Sequence, residues 1–197
     1  MTPVDYVPVG AIAAIVLGVV YLVVRWIRKL NALFPEAAQR YGITFTREKK
    51  GGFLRNTVDS SRLAGIVKGT PIEVVSTYQT RGRLRMRSTL VASPLSGLPA
   101  CTINISHRRP ATNVHLVPTD DVQFDGKRSV TSDAPAAVRV LLTPAVRTEL
   151  LGCPQAELRL VVNDGHVVLS FGDTPANQAE LHGPIDTVLA LARSQTR

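Results

Sequence analysis

The chain has 197 residues, a formal net charge of +8 and two cysteines, Cys101 and Cys153. That length holds one domain whose core needs neither disulfides nor a structural metal. Two isolated cysteines without a CxxC pair exclude a disulfide framework and a cysteine-built zinc site, and both read as small buried residues. The charge is unevenly spread: residues 25–110 carry 16 Lys and Arg against four acids, and residues 111–197 carry seven against ten. The half nearer the N-terminus is therefore suited to an anionic neighbour, lipid or nucleic acid.

Residues 1–5 form a short tail. No residue from Tyr6 to Val24 is charged, and a helix of that length spans about 28 Å, close to the hydrocarbon thickness of a bilayer. Tyr6 and Trp26 stand at the two ends, where aromatic rings favour the headgroup level, and Arg25, Arg28 and Lys29 follow on one side only. The expectation is a single-pass transmembrane helix over residues 6–27 in a bacterial inner membrane, with the C-terminal domain in the cytoplasm. A cleaved signal would need a basic leader and a small-residue cleavage site, and neither is present.

Residues 28–59 read as a juxtamembrane helix and connector. The helix is expected to kink or restart at Pro35 and to stop at Gly42, and Lys49-Lys50-Gly51-Gly52 reads as a turn. Residues 60–197 form the soluble α+β domain. Its first part, 60–106, reads as an antiparallel β meander with strands at 63–68, 72–78, 83–92 and 101–106. Its second part, 111–197, reads as helix, helix, hairpin, helix. Asp133 is expected to cap a helix over 134–142, and Thr143-Pro144 to start another that Gly152 ends. Strands 157–162 and 167–171 flank Asn163-Asp164-Gly165-His166, a strong hairpin signal. A last helix is expected over 184–194. The spacing of Val146, Leu150, Val188 and Leu189 predicts that all four are buried.

The most unusual local feature is Arg81-Gly82-Arg83-Leu84-Arg85-Met86-Arg87. Strand alternation groups Arg83, Arg85 and Arg87 on one face, with Leu84 and Met86 on the other. Leu84 and Met86 are expected to be sheltered, because burying three unpaired guanidiniums instead would be too costly, so Arg83, Arg85 and Arg87 are predicted to point away from the core and form a basic face. Together with Arg25, Arg28 and Lys29 they are the candidate contacts to an anionic surface; the plain alternatives are a solvated strand face and a topology signal. Nucleic acid is the weaker partner, because aromatics make up only 5% of the chain and none lies in this strand to stack on bases. His107, His115, His166 and His182 show no metal-ligand spacing, and no P-loop, dinucleotide fingerprint or GxSxG context occurs. No cofactor or metal is expected, and no catalytic residue is assigned.

Several segments carry a resemblance. Gly65 to Val74 has the form strand, turn, strand. Thr119-Asp120-Asp121-Val122-Gln123-Phe124-Asp125 is similar to a Thr-Gly-Asp-Pro-x-Phe-Asp pattern, with Asp120 in place of its glycine and Val122 in place of its proline. Leu141-Leu142-Thr143-Pro144-Ala145-Val146-Arg147, Leu150-Leu151 and the hairpin at Asp164-Gly165 follow. From Gly65 to Ala192 the chain resembles a loose group of small bacterial single-pass membrane proteins of unknown function with a soluble α+β domain. The resemblance implies the architecture and no functional residue. The reading reached is a membrane-tethered, non-catalytic interaction or scaffold domain at the inner leaflet, with anionic lipid or another membrane protein as partner. An enzyme acting on a lipid or other anionic substrate is the contrasting reading. It requires a deep pocket lined by at least two of His107, His115, Asp120, Asp121 and Asp125.

Overall fold

The computed structural model describes residues 7–50, 58–81, 84–94, 97, 100–107, 115–172 and 175–195. In chain order the elements are α1 (Val7–Tyr41), β1 (Thr44–Lys50), β2 (Val58–Val67), β3 (Thr70–Arg81), β4 (Leu84–Pro94) and β5 (Cys101–Ser106). There follow α2 (Val122–Lys127), β6 (Ser129–Ser132), α3 (Pro135–Leu141), α4 (Pro144–Gly152), β7 (Glu157–Asn163), β8 (His166–Phe171) and α5 (Gln178–Ser194). The strands form one antiparallel sheet in the order β1-β2-β3-β4-β8-β7-β5-β6. The α+β expectation holds.

The register aligns one apolar row across seven strands. Phe45 faces Leu63, Leu63 faces Val74, and Val74 faces Val91. Val91 then faces Leu169, Leu169 faces Leu160, and Leu160 faces Ile103. All but the half-buried Phe45 are buried. Positions of the opposite parity are half-buried or exposed, with Arg62, Ile66, Ser88 and Leu90 among the exposed ones. Helices cover one face of the sheet and leave the other open, which antiparallel sheets tolerate. Val146, Leu150, Val188 and Leu189 are buried as their spacing predicts, and so are both cysteines.

The meander expected over 60–106 ends at β4. The β7–β8 hairpin lies between β4 and β5, and β5 pairs instead with β7 and β6. Every second residue of β7 and β8 is buried, so this hairpin belongs in the middle of the sheet. The four-residue β6, whose polar Ser129-Val130-Thr131-Ser132 gave no strand signal, suits the edge, where short strands resist further pairing. The hairpin turn is as expected: Asp164 and Gly165 both have positive φ, 49° and 72°, the geometry a two-residue turn requires.

Of the helix and connector expected over 28–59, residues 28–41 are the end of α1, 44–50 are the edge strand β1 and 58–59 begin β2, so Lys49 and Lys50 close a strand, while 51–57, with the expected turn at Gly51-Gly52, lie outside the described residues. The α1 helix runs through Pro35 without interruption. An interior proline costs roughly 3 kcal/mol, and burial of Leu33 and Phe34 before it and of Ala37 and Ala38 after it holds both sides in place. Gly42 ends the helix at φ 66°, with Ile43 N donating to Ala38 O at 3.0 Å. Likewise α5 begins at Gln178 and continues through Pro184; Asn177 caps it by accepting from Glu180 N at 3.0 Å. Two expected caps are not caps. Asp133 accepts from Thr102 N at 2.7 Å instead of capping α3, and the Thr143 hydroxyl makes no cap bond to α4.

Among the described residues no helix is long and apolar enough to cross a membrane. The backbone of α1 is helical from Val7, and the side chains described between residues 7 and 24 are those of 14, 17–22 and 24. Leu17, Val19, Val20, Tyr21, Leu22 and Val24 are all exposed, Leu17 at 69%.

Candidate functional site

The carboxylates that might have served chemistry hold the backbone. Asp121 caps α2, accepting from Gln123 N at 3.1 Å and Phe124 N at 3.0 Å, and pairs with Arg147 Nε at 3.0 Å. Asp125 accepts from the Thr119 hydroxyl at 2.8 Å. Asp120 has φ 60° and lies 3.5 Å from Arg139. It thus occupies the glycine place of the Thr-Gly-Asp-Pro pattern in a conformation that favours glycine. Val122, in the proline place, is the first residue of α2, where proline fits best. A cavity of about 150 Å³ lined by Leu116, Val117, Pro118, Asp125, Arg128, Ser129 and Val130 holds one of the five residues an enzyme reading named. His107 and His115 are exposed and outside it, and His166 lies exposed at its turn with Nδ1 3.0 Å from Asp164 O. Among the described residues no group of three metal-ligating side chains comes together.

Two polar constellations were not legible in the sequence. The first is Arg128, 2% exposed. Its Nη1 donates to Gln155 O at 2.8 Å, and its Nη2 to Leu150 O at 2.7 Å and to Cys153 O. The guanidinium thus closes the C-terminal end of α4, where carbonyls lack helical partners and the helix dipole is negative. Partial desolvation first, and the Arg128 charge second, pull the pKa of the otherwise exposed His107 down.

The second is a seam between α1 and α5. Gln178, His182 and Asp186 recur every four residues on α5, one turn apart on one face. They meet Glu36, Arg40 and Tyr41 of α1: Gln178 Nε2 donates to Glu36 Oε2, Arg40 Nη1 to His182 Nδ1 at 2.6 Å, and the Tyr41 hydroxyl to Asp186 Oδ1 at 3.0 Å. The Tyr41 ring lies edge-on to His182 at 5.4 Å. The spacing of four is the signal that could have found the seam, had the helix been begun six residues earlier. Because Arg40 donates to it, Nδ1 must be unprotonated. Burial first, and the Arg40 charge second, push the His182 pKa below its ordinary value; burial and Asp186 push the Tyr41 phenol above its ordinary range.

A pH dependence follows. Since the folded pKa of His182 lies below the unfolded one, the stability it contributes is present above about pH 6.5 and is lost as pH falls through the folded value. Chemical unfolding of the full chain at pH 7.5 and pH 5 should show a larger loss in wild type than in His182→Asn. That variant keeps an acceptor near the Nδ1 position and cannot titrate. Equal losses in the two proteins would remove the seam from the account.

Of the candidate anionic-surface residues, Arg25 is exposed on α1, and the side chains of Arg28 and Lys29 lie outside the described ones. Arg83 lies outside the described residues. Arg85 and Arg87 are in β4, opposite Thr80 and Tyr78. Their side chains, like those of Leu84 and Met86, are not among those described, so the face expected for the arginine stripe lies outside the described residues.

No family model and no curated protein matches the chain. Among solved structures it is similar to the mycobacterial trehalose monomycolate transport factor A, TtfA, at 14% identity and a TM-score of 0.49, over 85% of this chain and 94% of that one. Such a likeness leaves function to be argued from the site.

Proposed function

We propose that the chain is a membrane-tethered, non-catalytic interaction domain, with the first half of α1 in the bilayer and the α+β domain on its cytoplasmic side. One observation carries this reading: α1 is a single helix whose end is core and which carries, from Leu17 to Leu22, an exposed run rich in large apolar side chains. Leu33, Phe34, Ala37 and Ala38 are buried, while residues 17–22 are exposed. An apolar run of this kind is stable when lipid covers it. Nine residues of helix separate Val24 from Leu33, so the domain is held within about 14 Å of the apolar stretch by a rigid element. Arg25, Arg28 and Lys29 then set the topology. The open sheet face, with Ile66 and Leu90 exposed, supports the interaction part of the reading by offering a second membrane protein a surface.

The test uses the full chain expressed in a bacterium. Wild type is expected to stay with membranes through alkaline carbonate extraction. Leu17→Lys/Val20→Lys is expected to be released, each lysine opposing insertion by roughly 2.5–3.5 kcal/mol. A phosphatase fused to the C-terminus should be inactive. Extraction of wild type by carbonate would refute the tether, and an active fusion would refute the cytoplasmic placement.

A further inference from the structure

The direction of α1 over the sheet follows from two independent contacts. Phe34 meets Phe45 at 6.2 Å between ring centroids, and Gly42 reverses the chain between α1 and β1. Residues 36–41 of α1 also run beside residues 178–186 of α5 in the same direction. Helix α5 itself starts from the Phe171 end of β8, the end that faces Thr89 rather than Pro94. Both contacts mean that α1 runs antiparallel to β1. Its N-terminal half therefore leaves the domain at the end of the sheet where β1 finishes and the β3–β4 hairpin turns.

That end is basic. Lys49 faces Asp59, Asp59 faces Tyr78, and Tyr78 faces Arg87, so the four form one cross-strand row. Lys50 lies in the next row with Val58, Gln79 and Met86, and Arg85, opposite Thr80, in the one beyond. The acid in this set, Asp59, is engaged with Arg47 at 2.6 Å. Lys49 has the parity of Phe45, which places it on the face along which α1 runs. The levels coincide as well. From Phe45 to Lys49 is four residues of strand, about 13 Å; from Phe34 back to Arg25 is nine residues of helix, about 14 Å. The change from apolar to basic on α1 therefore falls at the height of the basic row on the sheet.

We infer that this end of the sheet, bearing Lys49, Lys50, Arg85 and Arg87 level with Arg25, rests on anionic lipid headgroups and stands the domain upright against the leaflet. The inference rests on the tethered reading of α1 and adds a second contact to it. Basic groups near an anionic leaflet each contribute roughly 1 kcal/mol, about a fivefold change in the ratio of docked to undocked domain. Three charges together contribute about a hundredfold, within reach only when a short rigid helix already holds them near the surface.

The experiment uses the full chain in nanodiscs, labelled at Gln79→Cys, an exposed position in the Lys50 row; the native cysteines are buried. Quenching of the label by headgroup spin-labelled lipid is read in phosphatidylcholine alone and with phosphatidylglycerol. Strong quenching is expected with the anionic lipid, weak quenching without it, and loss of quenching near 1 M salt, where the Debye length is about 3 Å. Lys49→Ala/Arg85→Ala/Arg87→Ala should reduce the docked fraction in anionic discs to the level seen in neutral ones. Quenching that is the same in both lipids, or that survives high salt, overturns the inference whether or not the triple variant folds. Failure of the chain to enter the discs at all, read by co-elution, is failure of the tether and is seen before any quenching is measured.

Discussion

Arg128→Met is expected to destabilise the domain by about 3–5 kcal/mol, the largest loss from any single substitution considered. Methionine matches much of the buried stem and leaves no cavity of note. What it removes is the donor set that closes α4: the Cys153 carbonyl loses its guanidinium donor, the Gln155 carbonyl loses it at a part-buried position, and the Leu150 carbonyl keeps only the 3.2 Å bond from Cys153 N. A buried acceptor without a partner costs roughly 1–3 kcal/mol. Against this stands the desolvation of a guanidinium that is 2% exposed and whose pKa burial pulls down; removing it returns something. In pairs of opposite charges that return can exceed the loss, because both charges leave together. Here the acceptors are main-chain carbonyls and stay behind, so the loss wins. Arg128→Lys should fall between, since one ammonium group does not reproduce the fork that reaches three carbonyls. Urea unfolding of the full chain in detergent, followed by circular dichroism, measures the difference. A loss below about 1 kcal/mol would mean that the α4 carbonyls find other donors.

Leu150→Ala is expected to cost about 2–5 kcal/mol, since a fully enclosed leucine loses its transfer energy and leaves a cavity. Leu150 is 1% exposed, in a core cluster that includes Val146, Leu181 and Ile185, each at 0%. Its carbonyl is also one of the three that Arg128 holds. The two substitutions therefore share a partner and should not be additive. In thermal unfolding the single change should lower the midpoint by several degrees, at roughly 2–4 °C per kcal/mol for a domain of this size. A shift equivalent to less than about 0.5 kcal/mol would mean that α4 relaxes to fill the space.

Local patterns were legible wherever one residue type decides the backbone. Asp164-Gly165 adopts the positive φ values a two-residue turn needs, and Pro144 starts α4. Val146, Leu150, Val188 and Leu189 lie inside because period 3.6 admits one buried stripe. The β-branched runs of β2 to β5 and β7 to β8 read as strands for the same kind of reason: alternate residues meet one face. These signals involve neighbours in sequence, and the local geometry alone satisfies them.

Tertiary packing decided the rest. The place of β5 beside β7 rather than β4 depends on which strands bury their alternate residues best in the middle of the sheet, a comparison among strands far apart in the chain. Pro35 and Pro184 stay inside helices because buried neighbours on both sides outweigh the lost hydrogen bond. Arg128 and the seam of Glu36, Arg40 and Tyr41 with Gln178, His182 and Asp186 join residues 22 to 145 positions apart. Contacts around the buried Arg128 and His182 turn these ordinary surface residue types into structural ones, and which faces meet is a property of the packed layers, not of the local sequence.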